Sequence, residues 1–194
     1  MSPRPTSLLP EAFSLALGDL ADMRWHPNIN TQDMGAPQRI APYSNAIAAE
    51  FISPAGDALA TGRLVVLYNP AGDDSWDSTF RLVSYIQAPI ELAMAADPLL
   101  PDVAWSWLVD ALAHHGADCV SLAGTVTASY GRSFGDMRDD PDRGDVEMRA
   151  SWSPEVPSGH WLSQHLHSWQ ELLLWFSGQP PLPDGVIHFP QETQ

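Results

Sequence analysis

The chain has 194 residues, and its nine basic residues against 24 acidic ones give a formal net charge of -15. That field repels phosphate backbones and excludes non-specific nucleic-acid binding. No apolar run approaches the roughly 20 residues of a membrane helix, and a lone cysteine, Cys119, excludes an intrachain disulfide.

Hydrophobic residues make up 44%, with eight Trp. This suits one domain, assigned to residues 7–190, that buries roughly 70% of its unfolded surface. All nine basic residues are Arg. Met1–Pro10 has no long apolar segment and does not read as a signal peptide, so the cytoplasm is the expected location.

A first helix is expected from about Ser7 to Met23, with Pro10 near its first turn and a stripe of Phe13, Ala16, Leu17, Leu20 and Ala21. Arg24–Pro42 reads as a polar connector pinned by Trp25, Ile29, Met34 and Ile40. Ser44–Ile52 reads as a strand with Ile47, Ala49 and Phe51 on one face. In Thr61–Asn69, Leu64, Val66 and Tyr68 oppose Arg63, Val65 and Leu67. In Thr79–Gln87, Phe80, Leu82, Ser84 and Ile86 oppose Arg81, Val83, Tyr85 and Gln87. About ten residues separate these two runs, too few for a βαβ crossover, so antiparallel pairing follows.

Glu91–His115 turns at Asp97-Pro98 and Pro101 and becomes the central helix. Its stripe is Val103, Trp107, Ala111 and His114, widened by Ala104, Leu108 and Leu112, and Gly116 stops it. Cys119–Tyr130 and Val146–Trp152 read as a second hairpin around a charged, turn-rich tip. A last helix spans about His160–Ser177, striped by Leu162, Leu166, Trp169, Leu173 and Phe176 and broadened by Trp161, Leu172 and Trp175. Val186, Ile187 and Phe189 form a small apolar clasp in the tail. Both halves read as strands followed by a helix, the first ending at Gly116 and the second at Gly178.

The expected fold is therefore α+β: an antiparallel sheet of about five strands, the central and last helices on one face, and the N-terminal helix at an edge. The alternative is a mixed sheet, in which the strand after Gly116 runs parallel to an earlier one.

The blocks APQRIAPYSNAIAAE, TGRLVVLYNPAGDDSWDSTFRLVSY, MAADPLLPDVAWSWL, GTVT and EMRASW lie between Pro10 and Gly178. They are similar to the signature blocks of an actinobacterial family known as domain of unknown function family 3000. The resemblance implies a bacterial, cytosolic protein. It implies no reaction, ligand or catalytic residue.

Four groups of residues could carry chemistry. His165 and His167 diverge on a helix and, with His160, read as solvated or capping histidines; His114-His115 suit the negative end of a helix dipole. No metal or other cofactor is expected from them. The acidic tip with Asp136, Asp139, Asp140, Asp142 and Asp145 lacks the spacing of a calcium loop. Cys119, beside Val120 and Leu122, reads as a small core residue. The strand arginines Arg63, Arg81 and Arg149, with Tyr85, are the candidate ligand-binding set, because bidentate guanidinium contacts on rigid strands suit a carboxylate or another small anion.

Two functions are expected from this. The first is a non-enzymatic protein that binds a protein partner, self-associating through its Trp-rich last helix. The second is a binding protein or enzyme with an arginine-lined pocket for an anion.

Overall fold

A computed structural model describes residues 9–37, 39–156 and 161–179. In chain order the elements are α1 (Glu11–Asp22), β1 (Ile29–Met34), β2 (Tyr43–Ile52), β3 (Ala58–Asp73), β4 (Ser78–Ile90), α2 (Leu92–Ala95), α3 (Leu100–His114), β5 (Cys119–Gly131), β6 (Arg143–Pro154) and α4 (Leu162–Phe176). The strands form one sheet in the order β1-β2-β3-β4-β6-β5, and every neighbouring pair is antiparallel. The α+β class holds, and the mixed-sheet alternative does not.

Among the described residues the sheet has six strands, one more than the about five expected. The extra one, β1, lies in the stretch read as a connector. Its sequence INTQDM buries only Ile29, because an edge strand needs one anchor and leaves its polar side chains in water. The last-helix start at His160 and the tail clasp of Val186, Ile187 and Phe189 lie outside the described residues.

One face of the sheet is covered by helices. Ile47, Ala49 and Phe51 from β2, Leu64 and Val66 from β3, Leu82 and Ile86 from β4, and Met148 and Trp152 from β6 are buried there. Helix α1 packs on this same face, Phe13 stacking on Tyr68 and lying against Tyr43. The stripe of α3 is rotated from the expected one. Leu100, Ala104, Leu108, Ala111 and Leu112 are buried, whereas Val103 is 44% exposed and Trp107 only half-buried. Helix α4 buries Leu162, His165, Leu166, Ser168, Trp169, Leu172, Leu173, Trp175 and Phe176, so its apolar surface is already covered within one chain. Its first turn is closed from far away: the Leu162 N–H donates to Asp19 of α1, 2.9 Å away, because Trp161 at the N-cap supplies no side-chain acceptor.

The two halves are built alike. The units β3–β4–α3 and β5–β6–α4 correspond at a fixed offset, the 62 residues that separate Tyr85 from Glu147. At that offset Leu100 matches Leu162, Ser106-Trp107 matches Ser168-Trp169, and Leu112 matches Leu174. Gly116 and Gly178 end the two helices, both at positive φ, where a Cβ would be strained. Ile86 pairs with Met148, its own equivalent, so an approximate twofold axis passes between β4 and β6. The helices are exchanged across it: α3 packs on β5, and α4 on β3 and β4. Gly62 and Gly124, also equivalent, make this possible. A Cβ on Gly62 would lie 2.7 Å from the Trp169 ring, and one on Gly124 would lie 2.8 Å from Trp105.

Candidate functional site

Among the described residues, the other face of the sheet carries no helix. Strand alternation sends Arg63, Tyr85 and Arg149 to this open face, and the ladder sets them in one row, since Tyr85 is directly opposite both Arg63 on β3 and Arg149 on β6. Ala48 extends the row beyond Arg63, and Thr125 extends it beyond Arg149. With strands about 4.8 Å apart, the two arginine backbones stand roughly 10 Å from each other, and each side chain can reach over the tyrosine between them. The row lines a cavity of about 970 Å³, whose lining includes Ala48, Val83, Ala123 and Gly124. Val83 is 38% exposed, which leaves an apolar patch beside the cations.

The polar groups here are tied to each other across the approximate twofold axis. The Tyr85 hydroxyl donates to Glu147 Oε2 at 2.8 Å and lies 2.9 Å from Gln87 Oε1. One phenol proton serves one of these two oxygens at a time. Glu147 also receives Arg149 at 2.9 Å, and the Arg149 guanidinium sits 5.7 Å from the centre of the Tyr85 ring. Partial burial, and then the hydrogen bond to Glu147, push the Tyr85 phenol above its ordinary pKa, so it stays protonated and keeps a donor in the site. Arg149 remains largely exposed despite its pair. Arg63 makes no ion pair among the described residues, so its guanidinium is available to a ligand.

Arg81 is on the same face of β4 but does not line the cavity. It is buried, donating to the Ser121 carbonyl at 2.8 Å, the Ser153 hydroxyl at 3.0 Å and the Ser151 hydroxyl at 2.7 Å. Ser121 stands at φ 53° in the irregular start of β5 and donates to Asp77, while Ser153 donates to the Trp76 carbonyl. Arg81 thus fastens the β3–β4 turn to β5. Burial lowers its pKa. Of the four sequence-derived residues, three stand together and the fourth holds the scaffold.

The other candidates divide differently. His165, read as solvated or capping, is buried and accepts a hydrogen bond from the Trp152 indole at 3.1 Å, which fixes its Nδ1 as the unprotonated nitrogen. Burial drops its pKa to about 4. His160 lies outside the described residues. Cys119 is half-buried, and burial raises its thiol pKa, the reverse of what a reactive thiolate needs. In the acidic tip, Tyr130 donates to Asp142 and Arg132 lies 3.7 Å from the same carboxylate. Among the described residues, its aspartates do not gather into a three-ligand group. His114 and His115 do gather with Glu171 of α4. The sequence reading missed that carboxylate, since only the packing of α3 against α4 brings it near.

The chain belongs to the family described as "Protein of unknown function (DUF3000)", whose profile matches residues 9–187. No curated protein and no solved structure matches the chain.

Proposed function

We propose that this protein is a small-molecule binding protein whose open sheet face holds an organic anion. The observation that carries this reading is the Arg63–Tyr85–Arg149 row, in register on three rigid strands over a cavity of about 970 Å³. Two guanidinium groups about a tyrosine suit a carboxylate, which each can meet with parallel N–H donors. Val83, Ala48 and Ala123 offer contact to the apolar body of the same ligand. The net charge of -15 repels free anions at long range, so recognition rests on contact rather than steering. Arg81 supports the site indirectly by holding the start of β5. The cytoplasmic location expected from the sequence is part of this proposal. No helix among the described residues is long and apolar enough to cross a membrane.

The test is calorimetric titration with a panel of mono- and dicarboxylates and phosphate esters, repeated on Arg63→Ala and Arg149→Ala. Each substitution should weaken a true ligand about 10- to 100-fold, the worth of one charge-assisted contact. A panel without hits, or hits indifferent to both substitutions, would remove the reading.

A second reading, self-association or a protein partner, rests on the outer flank of α3. Leu99 and Val103 stand 63% and 44% exposed one turn apart, with the half-buried Trp107 a further turn on. Light scattering on the native chain and on Val103→Asp checks it: a dimer that dissociates in the variant supports it, and a monomer in both refutes self-association.

A further inference from the structure

We propose that the end of α3 and the middle of α4 form a binding site for a divalent transition metal ion, with His114, His115 and Glu171 as ligands. The site is separate from the anion cavity: it stands among the helices, while the cavity is on the open face. Three ligand atoms, one from each residue, lie within 4.8 Å of one another. His114 Nδ1 is 3.0 Å from Glu171 Oε2 and 3.1 Å from Oε1, and His115 Nε2 is 2.9 Å from the same Oε2.

Hydrogen bonding alone does not satisfy this arrangement. His115 Nε2 is buried and makes no hydrogen bond of acceptable geometry, although a carboxylate oxygen lies 2.9 Å away. A nitrogen lone pair and a carboxylate oxygen aimed past each other at that distance suit a shared cation. Ligand atoms around a tetrahedral zinc stand about 3.4 Å apart, given metal bonds of about 2.0–2.2 Å, so small side-chain rotations complete the geometry. Two imidazoles and one carboxylate are the donor set of zinc and its first-row neighbours, and three protein ligands leave a position open to water or a small ligand.

The surroundings favour a cation. His115 is the C-cap of α3, where the helix dipole presents its negative end. The net charge of -15 lowers the cost of bringing a cation to the surface. His167, one turn before Glu171 on α4, stacks on the His115 ring with centroids 5.7 Å apart and limits how that ring can turn.

Cobalt(II) titration of the chelator-treated full chain, followed by visible absorption and by zinc competition, tests the site. One equivalent should bind, with the d–d bands of a four- or five-coordinate ion, and zinc should displace it. Glu171→Gln and His115→Ala should each weaken binding on the order of 100-fold, and His114→Ala at least about tenfold. His114 is two-thirds exposed, so its substitution keeps the test independent of folding. Absence of stoichiometric binding at 100 µM cobalt, a titration unchanged in the three variants, or the featureless weak spectrum of hexaaqua cobalt would each overturn the proposal.

Discussion

The halves β3–β4–α3 and β5–β6–α4 share a plan and differ in what they bury. Trp169 on α4 is fully buried and donates to Ser84, while its equivalent Trp107 on α3 is half-buried against Phe176. Arg81 on β4 is enclosed by three acceptors, while its equivalent Arg143 on β6 is exposed. The cause is what has been added at one side. Helix α1 packs beside α4, and Trp25 meets Trp169 edge-on, whereas among the described residues Leu99 and Val103 on the flank of α3 stay exposed. A repeated scaffold therefore fixes where side chains stand, but neighbours outside the repeat decide whether they act as core or as surface. The site on the axis shows the same split, since Tyr85 and Glu147 are equivalents that hydrogen-bond to each other as donor and acceptor.

The tryptophans give the largest expected contrast. Trp169→Ala should cost about 3–5 kcal/mol in urea unfolding and Trp107→Ala less than half of that; equal losses would break the asymmetry. The arginines come next. Arg81→Met should cost about 3 kcal/mol, because it strands two serine hydroxyls and a carbonyl, whereas Arg143→Met should stay within about 0.5 kcal/mol.

Acid should act on the second half through His165, whose equivalent Val103 cannot titrate. The His165 pKa of about 4 lies below the 6.5 of an unconstrained histidine, so the unfolded chain binds more protons between those values. Its contribution is complete above pH 6.5, is lost as the pH falls toward 4, and amounts to about 3 kcal/mol. A stability–pH curve for the native chain, compared with His165→Gln, isolates it; identical slopes would refute the assignment.

The glycines sharpen the comparison where the halves agree. Gly62→Ala and Gly124→Ala should each cost about 1–3 kcal/mol. Gly124 should be the worse, because its new Cβ meets the Arg149 carbonyl as well as a Trp ring, and backbone yields less than a side chain. A neutral result at either position would mean that the helix above it is free to lift.

Much of this was legible in the chain because period-two alternation assigns strand faces without knowledge of strand order. It put Arg63, Tyr85 and Arg149 on faces that a correct register then joined. Alternation could not separate Arg81 from Arg149. Both point to the open face, and the fold-back of Asp77 onto β5 and Trp76 onto β6 encloses the first. Strand β1 escaped notice because an edge strand with one buried residue has no alternation to read. The pairing of His114 with Glu171 spans 57 residues and exists only because α3 and α4 pack together.

The contact between Asp19 and the Leu162 N–H has a consequence for how the protein is made. It joins positions 143 residues apart. Ribosomes deliver α1 before α4, so the first turn of α4 finds its acceptor only when the intervening strands and helices have emerged. Until then the surface of β3 and β4 that receives Trp169 stays open, and the nascent chain shows its future core to the cell. Assembly of this domain therefore waits for α4 to be synthesised, and a ribosome stalled before α4 would hold a sticky intermediate for chaperones to shelter.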